Sequence, residues 1–281
     1  MINTLDLSTG YTPVEGKRLP YTEMQFSGGE CHTKITPPQN NNRVVITCRA
    51  KSSNDILKIL MAKNALDNMG VIETHLVIPY LPYVRQDRIC DEGEAFSLKV
   101  FCSLINSCNF KSVTVLDAHS DVGPALLDRC INISNADYVL RAYHHINDID
   151  SSDVILISPD AGANKKVNKL FVSTGVFYSL VKCDKVRDMK TGNLTGFEVF
   201  ADDLKGKSCL IVDDICDGGG TFMGIAEELK KKNAGNLYLF VTHGIFSKGL
   251  KDLNKVFRVV FSTDSFADTN NKQFKTVFNG F

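Results

Sequence analysis

The sequence predicts an α/β fold in which two similar domains each contain a mainly parallel sheet flanked by helices. Short apolar runs rich in β-branched residues recur along the chain, for example at residues 113–117 and 209–213, and they end in polar or acidic segments. Such runs are typical of buried parallel strands. Segments with apolar residues at helical spacing lie between them. We therefore expect binding residues at the carboxyl ends of the strands, where open α/β sheets hold ligands.

The composition is that of a soluble globular protein, with 281 residues of which 43% are hydrophobic and 23% are charged. This length suits two domains, which we expect over residues 1–143 and 144–281. Lysine plus arginine and aspartate plus glutamate both number 32, so the charge gives no indication of nucleic-acid or membrane binding. Nine scattered cysteines without a CxxC pair, and no visible secretion signal or membrane-spanning run, predict a reduced, cytoplasmic protein.

The first part of the chain is predicted to contain a hairpin, two strands and two helices. Residues 21–36 alternate around a Ser-Gly-Gly tip, which predicts a β-hairpin. Residues 43–48 and 76–80 are apolar and are predicted to be strands. Between them, residues 53–55 supply the cap of a helix with one apolar face, and a second helix is expected over residues 96–105.

Two polar segments follow strands in this part. In YLPYVRQDR, residues 80–88, Arg85 and Arg88 lie close together at an expected strand end, and a polyphosphate needs such cations. After the strand at residues 113–117, Asp117 and His119 are expected on one side because alternate strand residues share a face. The histidine is either a structural partner of the aspartate or a contact for metal or phosphate.

The second half of the chain repeats this plan. Residues 141–153 are polar and are expected to cross between the domains, and a second strand series then begins at residues 154–160. Residues 182–196 combine charges with turn formers, which predicts an exposed, mobile loop. The strand at residues 209–212 leads into a polar loop and a helix capped by Thr221, and residues 237–246 form a last predicted strand and its turn.

The loop VDDICDGGGT, residues 212–221, has two chemically different halves. The acids are Asp213, Asp214 and Asp217, and the glycines are Gly218, Gly219 and Gly220. Carboxylates accept hydrogen bonds from hydroxyls, whereas glycine backbone N–H groups at a helix N-terminus bind anions. A purely structural interpretation is a strand end with capping acids and a flexible turn. Three acids joined to a glycine nest favour a ligand with both hydroxyls and an anion, which a sugar phosphate provides.

VDDICDGGGT resembles the ribose-phosphate binding signature of type I phosphoribosyltransferases and ribose-phosphate pyrophosphokinases. Several more segments resemble the pyrophosphokinases. In the first half of the chain, FSGGE at residues 26–30 is similar to their FSDGE, YLPYVRQDR is similar to their ATP-binding stretch, and DAH at residues 117–119 is similar to their DLH. In the second half, PDAGANKK at residues 159–166 is similar to their PDAGGAKR, CDKVR at residues 183–187 is similar to the DKRR of their catalytic loop, and THGIFS at residues 242–247 is similar to their corresponding segment. The chain is therefore identified as a member of that family.

The resemblance implies two phosphoribosyltransferase-like domains in tandem with the active site between them. It implies transfer of the β,γ-diphosphate of ATP to the anomeric hydroxyl of a ribose phosphate, with Mg2+ as cofactor, AMP as product and a homo-oligomer, dimer or hexamer, as assembly. The residues that it implies are Lys185 and Arg187 for catalysis; Phe26, Glu30, Arg85, Gln86, Arg88 and His119 for ATP; Asp213, Asp214, Asp217, Gly218, Gly219, Gly220 and Thr221 for ribose phosphate; and His119 and Asp160 for the metal.

The chain departs from the family pattern at several positions. Gly28 stands where the family has aspartate, Val186 where it has arginine, Gly218 where it has threonine, and residues 91–94 are acidic where it is basic. Loss of the threonine hydroxyl and the room that it opens make ADP-ribose an alternative acceptor to ribose 5-phosphate. The sequence also leaves open a phosphoribosyltransferase, which would not need the RQDR and DAH segments, and a non-catalytic homologue, which would not need to keep Lys185.

Overall fold

The computed structural model describes residues 2–39, 42–187, 194–269 and 271–280. The chain divides into two compact units: unit 1 comprises Met1–Ser134 with Lys275–Phe281, and unit 2 comprises Asn135–Phe274. The domain boundary expected after residue 143 falls inside the helix Ala136–Ile149 of unit 2, and that boundary stays a prediction.

Unit 1 contains eight strands and three helices in its described residues. The strands are β1 (Asn3–Asp6), β2 (Lys17–Arg18), β3 (Tyr21–Gln25), β4 (Cys31–Ile35), β5 (Arg43–Thr47), β6 (Glu73–Val77), β7 (Ser112–Leu116) and β8 (Cys130–Ile133), and the helices are α1 (Ser53–Asn68), α2 (Ser97–Ser107) and α3 (Val122–Leu126). A parallel sheet has the order β2-β1-β5-β6-β7-β8. The hairpin β3–β4 is separate and antiparallel, as the alternating sequence predicts.

Unit 2 contains six strands and four helices in its described residues. The elements are α4 (Ala136–Ile149), β9 (Val154–Ser158), α5 (Asn164–Thr174), β10 (Ser179–Arg187), β11 (Leu194–Val199), β12 (Ser208–Cys216), α6 (Gly220–Lys231), β13 (Leu237–Gly244), α7 (Leu253–Val256), β14 (Val259–Thr263) and a 3-10 turn at Lys272–Phe274. The sheet order is β11-β10-β9-β12-β13-β14. Its described pairs are parallel except β10–β11.

The central strands of both sheets are buried along almost their whole length, which confirms the predicted α/β class. All residues of β7, β9 and β13 are buried. Such strands need apolar residues on both faces because helices cover both sides of a parallel sheet. In unit 2, the buried face of α6, with Phe222, Ile225, Ala226 and Leu229, belongs to the core cluster that includes strands β9, β12 and β13.

The N-cap of helix α1 lies one residue before the position expected from the sequence. Ser52 is the N-cap, and its hydroxyl accepts a hydrogen bond from the backbone N–H of Asp55. The Asp55 carboxylate in turn accepts one from the backbone N–H of Ser52 at 2.9 Å. This reciprocal capping box satisfies two N–H groups that have no partner inside the helix.

The structure corrects four local predictions. Residues 141–153 lie mostly in α4 and do not form a linker. The predicted loop at residues 182–196 is paired as β10 and β11 on both sides of residues 188–193, which lie outside the described residues. Strand β12 continues to Cys216, and Gly219, with a φ of +78°, takes the N-cap position predicted for Thr221.

The last described residues return to unit 1. The backbone N–H of Phe278 donates to the carbonyl of Pro13 at 2.8 Å, and the hydroxyls of Tyr11 and Thr276 form a buried hydrogen bond of 2.9 Å. The ring of Phe278 is almost fully buried. Residues 275–280 therefore complete the packing of unit 1 although they follow unit 2 in the chain.

All nine cysteines are free thiols, and burial raises the pKa of several, including that of Cys48 to about 12. Among the helices of the described residues, none combines the length and the apolar character that a bilayer crossing requires.

Candidate functional site

Three carboxylates of unit 2, those of Asp160, Asp213 and Asp214, lie near the carboxyl ends of β9 and β12 and interact electrostatically. Asp214 is buried within β12, and its backbone N–H donates to Asp213 Oδ1 at 2.9 Å. Burial first, and then the charges of Asp214 and Asp160, raise the pKa of Asp213 well above its ordinary value. This strand end therefore favours a ligand that brings a cation or a hydroxyl donor.

Two lysines reach these carboxylates. Lys185 Nζ, on β10, lies 2.6 Å from Asp160 Oδ2, and both side chains are mostly buried. Lys166 Nζ, on α5, lies 3.9 Å from Asp214 Oδ2. Lys166 was not among the predicted site residues. Its closeness to Asp160 in the sequence makes it a candidate residue of the site. The sequence does not determine which of the adjacent lysines, Lys165 or Lys166, faces the strand ends.

The glycine segment forms the start of α6. Helix α6 begins at Gly220 and has no side-chain hydrogen bond at its cap. Its first backbone N–H groups have no partner inside the helix by geometry, and such a terminus suits an anion. An added Cβ at Gly219 would lie 3.2 Å from Leu253 Cδ2, and φ there is positive, so both features favour glycine.

The segment after β13 supports this turn. The backbone N–H groups of Ile245 and Phe246 donate to the carbonyl of Cys216 at 2.9 and 3.1 Å, and that of Ser247 donates to the carbonyl of Asp217 at 3.2 Å. These hydrogen bonds hold the segment after β13 against the residues that precede the glycine turn.

Lys248 occupies space that the sequence predicted to be open. A Cβ added at Gly218 would lie 3.4 Å from Lys248 Cε and 3.5 Å from its Cδ. These are ordinary contact distances, so the methylene chain of Lys248 flanks the position of a side chain at residue 218 without filling it. Lys248 is a cation beside the start of α6, where the family pattern has the hydroxyl of a threonine.

Residues of the predicted ATP segments in unit 1 come together at Asp87. This buried carboxylate accepts hydrogen bonds from Arg88 Nε at 2.9 Å and from Ser120 Oγ at 2.6 Å. The hydrogen bond from Arg88 first, then that from Ser120 and the charge of His119, hold the pKa of Asp87 below its ordinary value. The RQDR and DAHS segments are thus joined by a residue for which the sequence predicted no role.

The side chains predicted to contact ATP around Asp87 are exposed, namely Arg85, Gln86, Arg88 and His119. Asp117 has a φ of +46° and follows the end of β7 at Leu116. The prediction that Asp117 and His119 share a strand face is therefore wrong, because the strand has already ended. Ser120 and Asp87 form the contact between the two segments instead.

The two remaining predicted ATP contacts, Phe26 and Glu30, lie at the tip of the β3–β4 hairpin. Phe26 is half exposed, and its backbone N–H donates to the carbonyl of Glu30 at 2.9 Å. A Cβ added at Gly28 would lie 2.6 Å from Glu30 Oε2. An aspartate at this position would displace the Glu30 carboxylate, so Gly28 permits the observed position of Glu30.

The predicted catalytic and metal residues belong to both units. Arg187 pairs with Leu194 in the backbone register of the hairpin, and its side chain lies outside the described residues.

Within the described residues, no group of three or more histidine, cysteine, aspartate or glutamate side chains is placed so that it could hold a metal ion by itself. Mg2+ commonly uses one or two carboxylates together with substrate phosphates and water. The carboxylates at the ends of β9 and β12 fit an ion of that kind.

Both halves of the chain are similar to known protein families. Residues 14–108 match the model of the N-terminal domain of ribose phosphate pyrophosphokinase, and residues 141–275 match that of the phosphoribosyl transferase domain. The ribose-phosphate pyrophosphokinase of Ureaplasma parvum is 30% identical over 81% of this chain and 68% of its own length. That of Pyrococcus furiosus is 26% identical over 95% of this chain and 93% of its own length.

A solved structure has a similar fold. The crystal structure of phosphoribosylpyrophosphate synthetase from Mycobacterium smegmatis gives a TM-score of 0.80 with 21% identity, over 99% of this chain and 93% of that chain. The similarity confirms the predicted fold class of two phosphoribosyltransferase-like domains.

Proposed function

Since this chain belongs to the ribose-phosphate pyrophosphokinase family, we propose that it transfers the β,γ-diphosphate of ATP to the 1-hydroxyl of ribose 5-phosphate. The products are phosphoribosyl pyrophosphate and AMP. The observation that carries the proposal is the combination, in unit 2, of the glycine turn of α6 with the carboxylates of β12 and the Lys185–Asp160 ion pair at 2.6 Å.

Each half of that combination suits one part of the acceptor. Asp213 and Asp214 accept hydrogen bonds from the ribose hydroxyls, and such donors offset the burial and the carboxylate repulsion that raise the pKa of Asp213. Backbone N–H groups of residues 217–221, at the start of α6, bind the 5-phosphate. Ribose 5-phosphate carries both the hydroxyls and the anion that these groups require.

Side chains of unit 1 bind ATP, which is the donor of the diphosphate. Arg85 and Arg88 are exposed cations that bind the phosphates of ATP, and Gln86 and His119 lie in the same two segments. Phe26 offers an exposed ring to the adenine base, and Glu30 accepts from its amino group. When bound with ATP, Mg2+ neutralises the charge of the diphosphate, and Asp160 and His119 are its proposed protein contacts.

In the transfer, the oxygen of the 1-hydroxyl bonds to the β-phosphorus, and the bond from that phosphorus to the bridging oxygen of the α-phosphate breaks. AMP leaves with the bridging oxygen, and the hydroxyl proton is released to solvent. Lys185, together with Arg187, neutralises the negative charge on the transferred group. Such a reaction depends on positioning and charge neutralisation more than on covalent help from the protein.

ADP-ribose is the second candidate acceptor. The specific observation in its favour is Gly218, which lacks the hydroxyl that the family pattern places beside a terminal phosphate. The observation against it is Lys248, whose side chain lies beside Gly218. A lysine there supports a dianionic terminal phosphate, so ribose 5-phosphate is the leading acceptor.

Incubation of the protein with ATP, Mg2+ and each sugar phosphate, followed by chromatographic measurement of AMP and of the phosphorylated sugar, tests the proposal. We expect AMP and phosphoribosyl pyrophosphate in equal amounts with ribose 5-phosphate. AMP that forms equally without a sugar, or no AMP with either acceptor, would overturn it. Release of pyrophosphate from phosphoribosyl pyrophosphate with a nucleobase would instead identify a phosphoribosyltransferase.

A further inference from the structure

We propose that Phe197 and Gly224 are positioning residues, because their contact determines where the Lys185 ammonium lies. The inference rests on the proposed function, in which Lys185 neutralises charge during the transfer. Neither Phe197 nor Gly224 was a predicted site residue, and neither has a group that could bind a phosphate or a sugar.

The first observation is the register of the β10–β11 hairpin. Lys185 and Phe197 are directly opposite each other across the two antiparallel strands. Side chains of such a pair are on the same face, with Cβ atoms about 4.5–5.5 Å apart. Movement of the Phe197 backbone therefore moves Lys185 with it, and the Lys185 Nζ contact of 2.6 Å with Asp160 is the interaction that this movement would change.

The second observation is the contact between Phe197 and helix α6. A Cβ added at Gly224 would lie 2.1 Å from Cε2 and 2.4 Å from Cδ2 of the Phe197 ring. Real Cβ atoms do not approach other atoms so closely, so the ring lies directly against the helix backbone. Glycine inside a helix is less favourable than alanine. The close approach of the ring is a physical reason for glycine at this position.

The third observation concerns what else holds this part of the hairpin. Strand β10 pairs with β9 from Ser179 to Lys182, and its described pairing from Cys183 to Arg187 is with β11 alone. Lys185 thus lies beyond the part of β10 that pairs with β9. The packing of Phe197 on α6 and against the core of unit 2 provides the support there.

The same helix serves both functional parts of unit 2. Its N-terminus is the glycine turn proposed for the 5-phosphate, and Gly224 lies in its following turn. Through Phe197, α6 therefore sets the distance between the phosphate-binding turn and Lys185. A displacement of about 1 Å in such a geometry can cost roughly a hundredfold in rate.

The test is a double-mutant cycle between Gly224→Ala and Lys185→Ala, measured as kcat and KM for AMP formation from ATP and ribose 5-phosphate. The added methyl must push the Phe197 ring away. We expect Gly224→Ala to lower kcat by about tenfold or more in the wild-type background and by less than about twofold when Lys185 is already alanine. We expect the KM for ribose 5-phosphate to change by less than about threefold.

A second cycle tests the contact itself. Since the clash needs both partners, Gly224→Ala should not slow a Phe197→Ala variant further, and Phe197→Ala alone should show the same dependence on Lys185. The matched control is Glu198→Ala, an exposed neighbour whose side chain is on the opposite face of β11, and it should retain wild-type kcat. If Gly224→Ala abolishes cooperative unfolding, the proposal is tested instead by comparing the effect of Phe197→Ala on kcat with and without Lys185→Ala.

Two outcomes would overturn the inference. One is a Gly224→Ala variant as active as Glu198→Ala, and the other is an equal loss of kcat with and without Lys185, which indicates general damage to unit 2. Failure of the proposed function is distinguishable from both, because in that case the wild-type protein itself forms no AMP with ribose 5-phosphate.

Discussion

Lys185 Nζ lies 2.6 Å from Asp160 Oδ2, so the cation proposed for the transition state and a carboxylate proposed for the metal are each other's partners in this structure. Both side chains are mostly buried, at 27% and 22% exposure. In the proposed reaction, Mg2+ would offer Asp160, and the phosphates of ATP would offer Lys185, a new partner of opposite charge. In this structure the ion pair holds Lys185 near the carboxyl end of β9.

Replacement of Lys185 by alanine should lower the rate of AMP formation by about a hundredfold, since loss of one preorganised charge contact costs on the order of 3 kcal/mol. The midpoint of thermal unfolding should change little, because the two side chains keep 27% and 22% exposure, and an ion pair that solvent still screens contributes roughly 0–1 kcal/mol. Lys182→Ala, an exposed lysine on the same strand, is the control. An unchanged rate would remove Lys185 from the mechanism.

Asp87→Asn should raise the KM for ATP and destabilise unit 1, because the Arg88 and Ser120 contacts both depend on the carboxylate. Loss of a buried, charge-assisted hydrogen bond costs about 1.5–3 kcal/mol. The pKa of Asp87 is lower in the folded state than in the unfolded state. The ionised carboxylate therefore stabilises the folded protein above the unfolded-state pKa, and this stabilisation is lost as the pH falls through the folded-state pKa.

Chemical unfolding of wild type and Asp87→Asn between pH 7 and pH 3 measures this effect. The difference in free energy of unfolding should shrink below about pH 4. Asp91→Asn, at an exposed position nearby, should follow the wild type. A difference that stays constant with pH would mean that the Asp87 charge does not stabilise the fold.

Asp213→Asn should abolish activity and yet stabilise the protein at pH 7. The pKa of Asp213 is raised by burial and by its carboxylate neighbours, so stability is highest below the unfolded-state pKa and falls as the pH rises through the folded value. Removal of the charge should raise Tm by about 2–4 °C per kcal/mol recovered.

Scanning calorimetry at pH 7 and pH 4.5, without ligands, is the measurement. The gain in Tm should be smaller at the lower pH, where the wild-type carboxyl group takes up its proton. Asp202→Asn, an exposed aspartate, should give no gain. A lower Tm for Asp213→Asn at pH 7 would show that the carboxylate is stabilising in the folded state.

The acceptor is decided by kcat/KM for ribose 5-phosphate and ADP-ribose in wild type, Gly218→Thr and Lys248→Ala. If Lys248 compensates for the missing hydroxyl, Lys248→Ala should lower kcat/KM for ribose 5-phosphate by roughly tenfold to a hundredfold, as expected for a hydrogen bond to a charged group. The double variant Gly218→Thr with Lys248→Ala should recover part of the loss, because a Cβ at position 218 makes only ordinary contacts and the threonine restores a hydroxyl that can donate to the phosphate. A wild type that prefers ADP-ribose would contradict the leading assignment.

The sequence was sufficient to predict the sheet and the edge of it that carries the candidate site. Apolar runs such as residues 154–158 were predictable as strands because they are short, contain β-branched residues and are followed by polar residues, whereas a buried helix is longer. The carboxyl ends of β9 and β12 follow from the parallel topology, so Asp160 and Asp213 could be predicted to lie at one edge. The glycine turn at the start of α6 was predictable for the same reason.

The paired strands of the hairpin were not predictable, since β10 and β11 carry charges and turn formers that also suit a loop. The hydrogen bond between Ser120 and Asp87 joins residues 33 positions apart, and no local pattern encodes such a distance. The length of β12 was underestimated because Asp213 and Asp214 are polar, although the strand continues through both of them.

The return of residues 275–281 to unit 1 has a consequence for synthesis of the chain on the ribosome. Unit 2 is whole once residue 274 has emerged, whereas unit 1, which begins first, lacks the Tyr11–Thr276 hydrogen bond and the burial of Phe278 until residues 275–280 have followed. Domains generally fold as units during synthesis. Here unit 1 is translated first but completed after unit 2, so its nascent form lacks these two contacts while unit 2 is being synthesised.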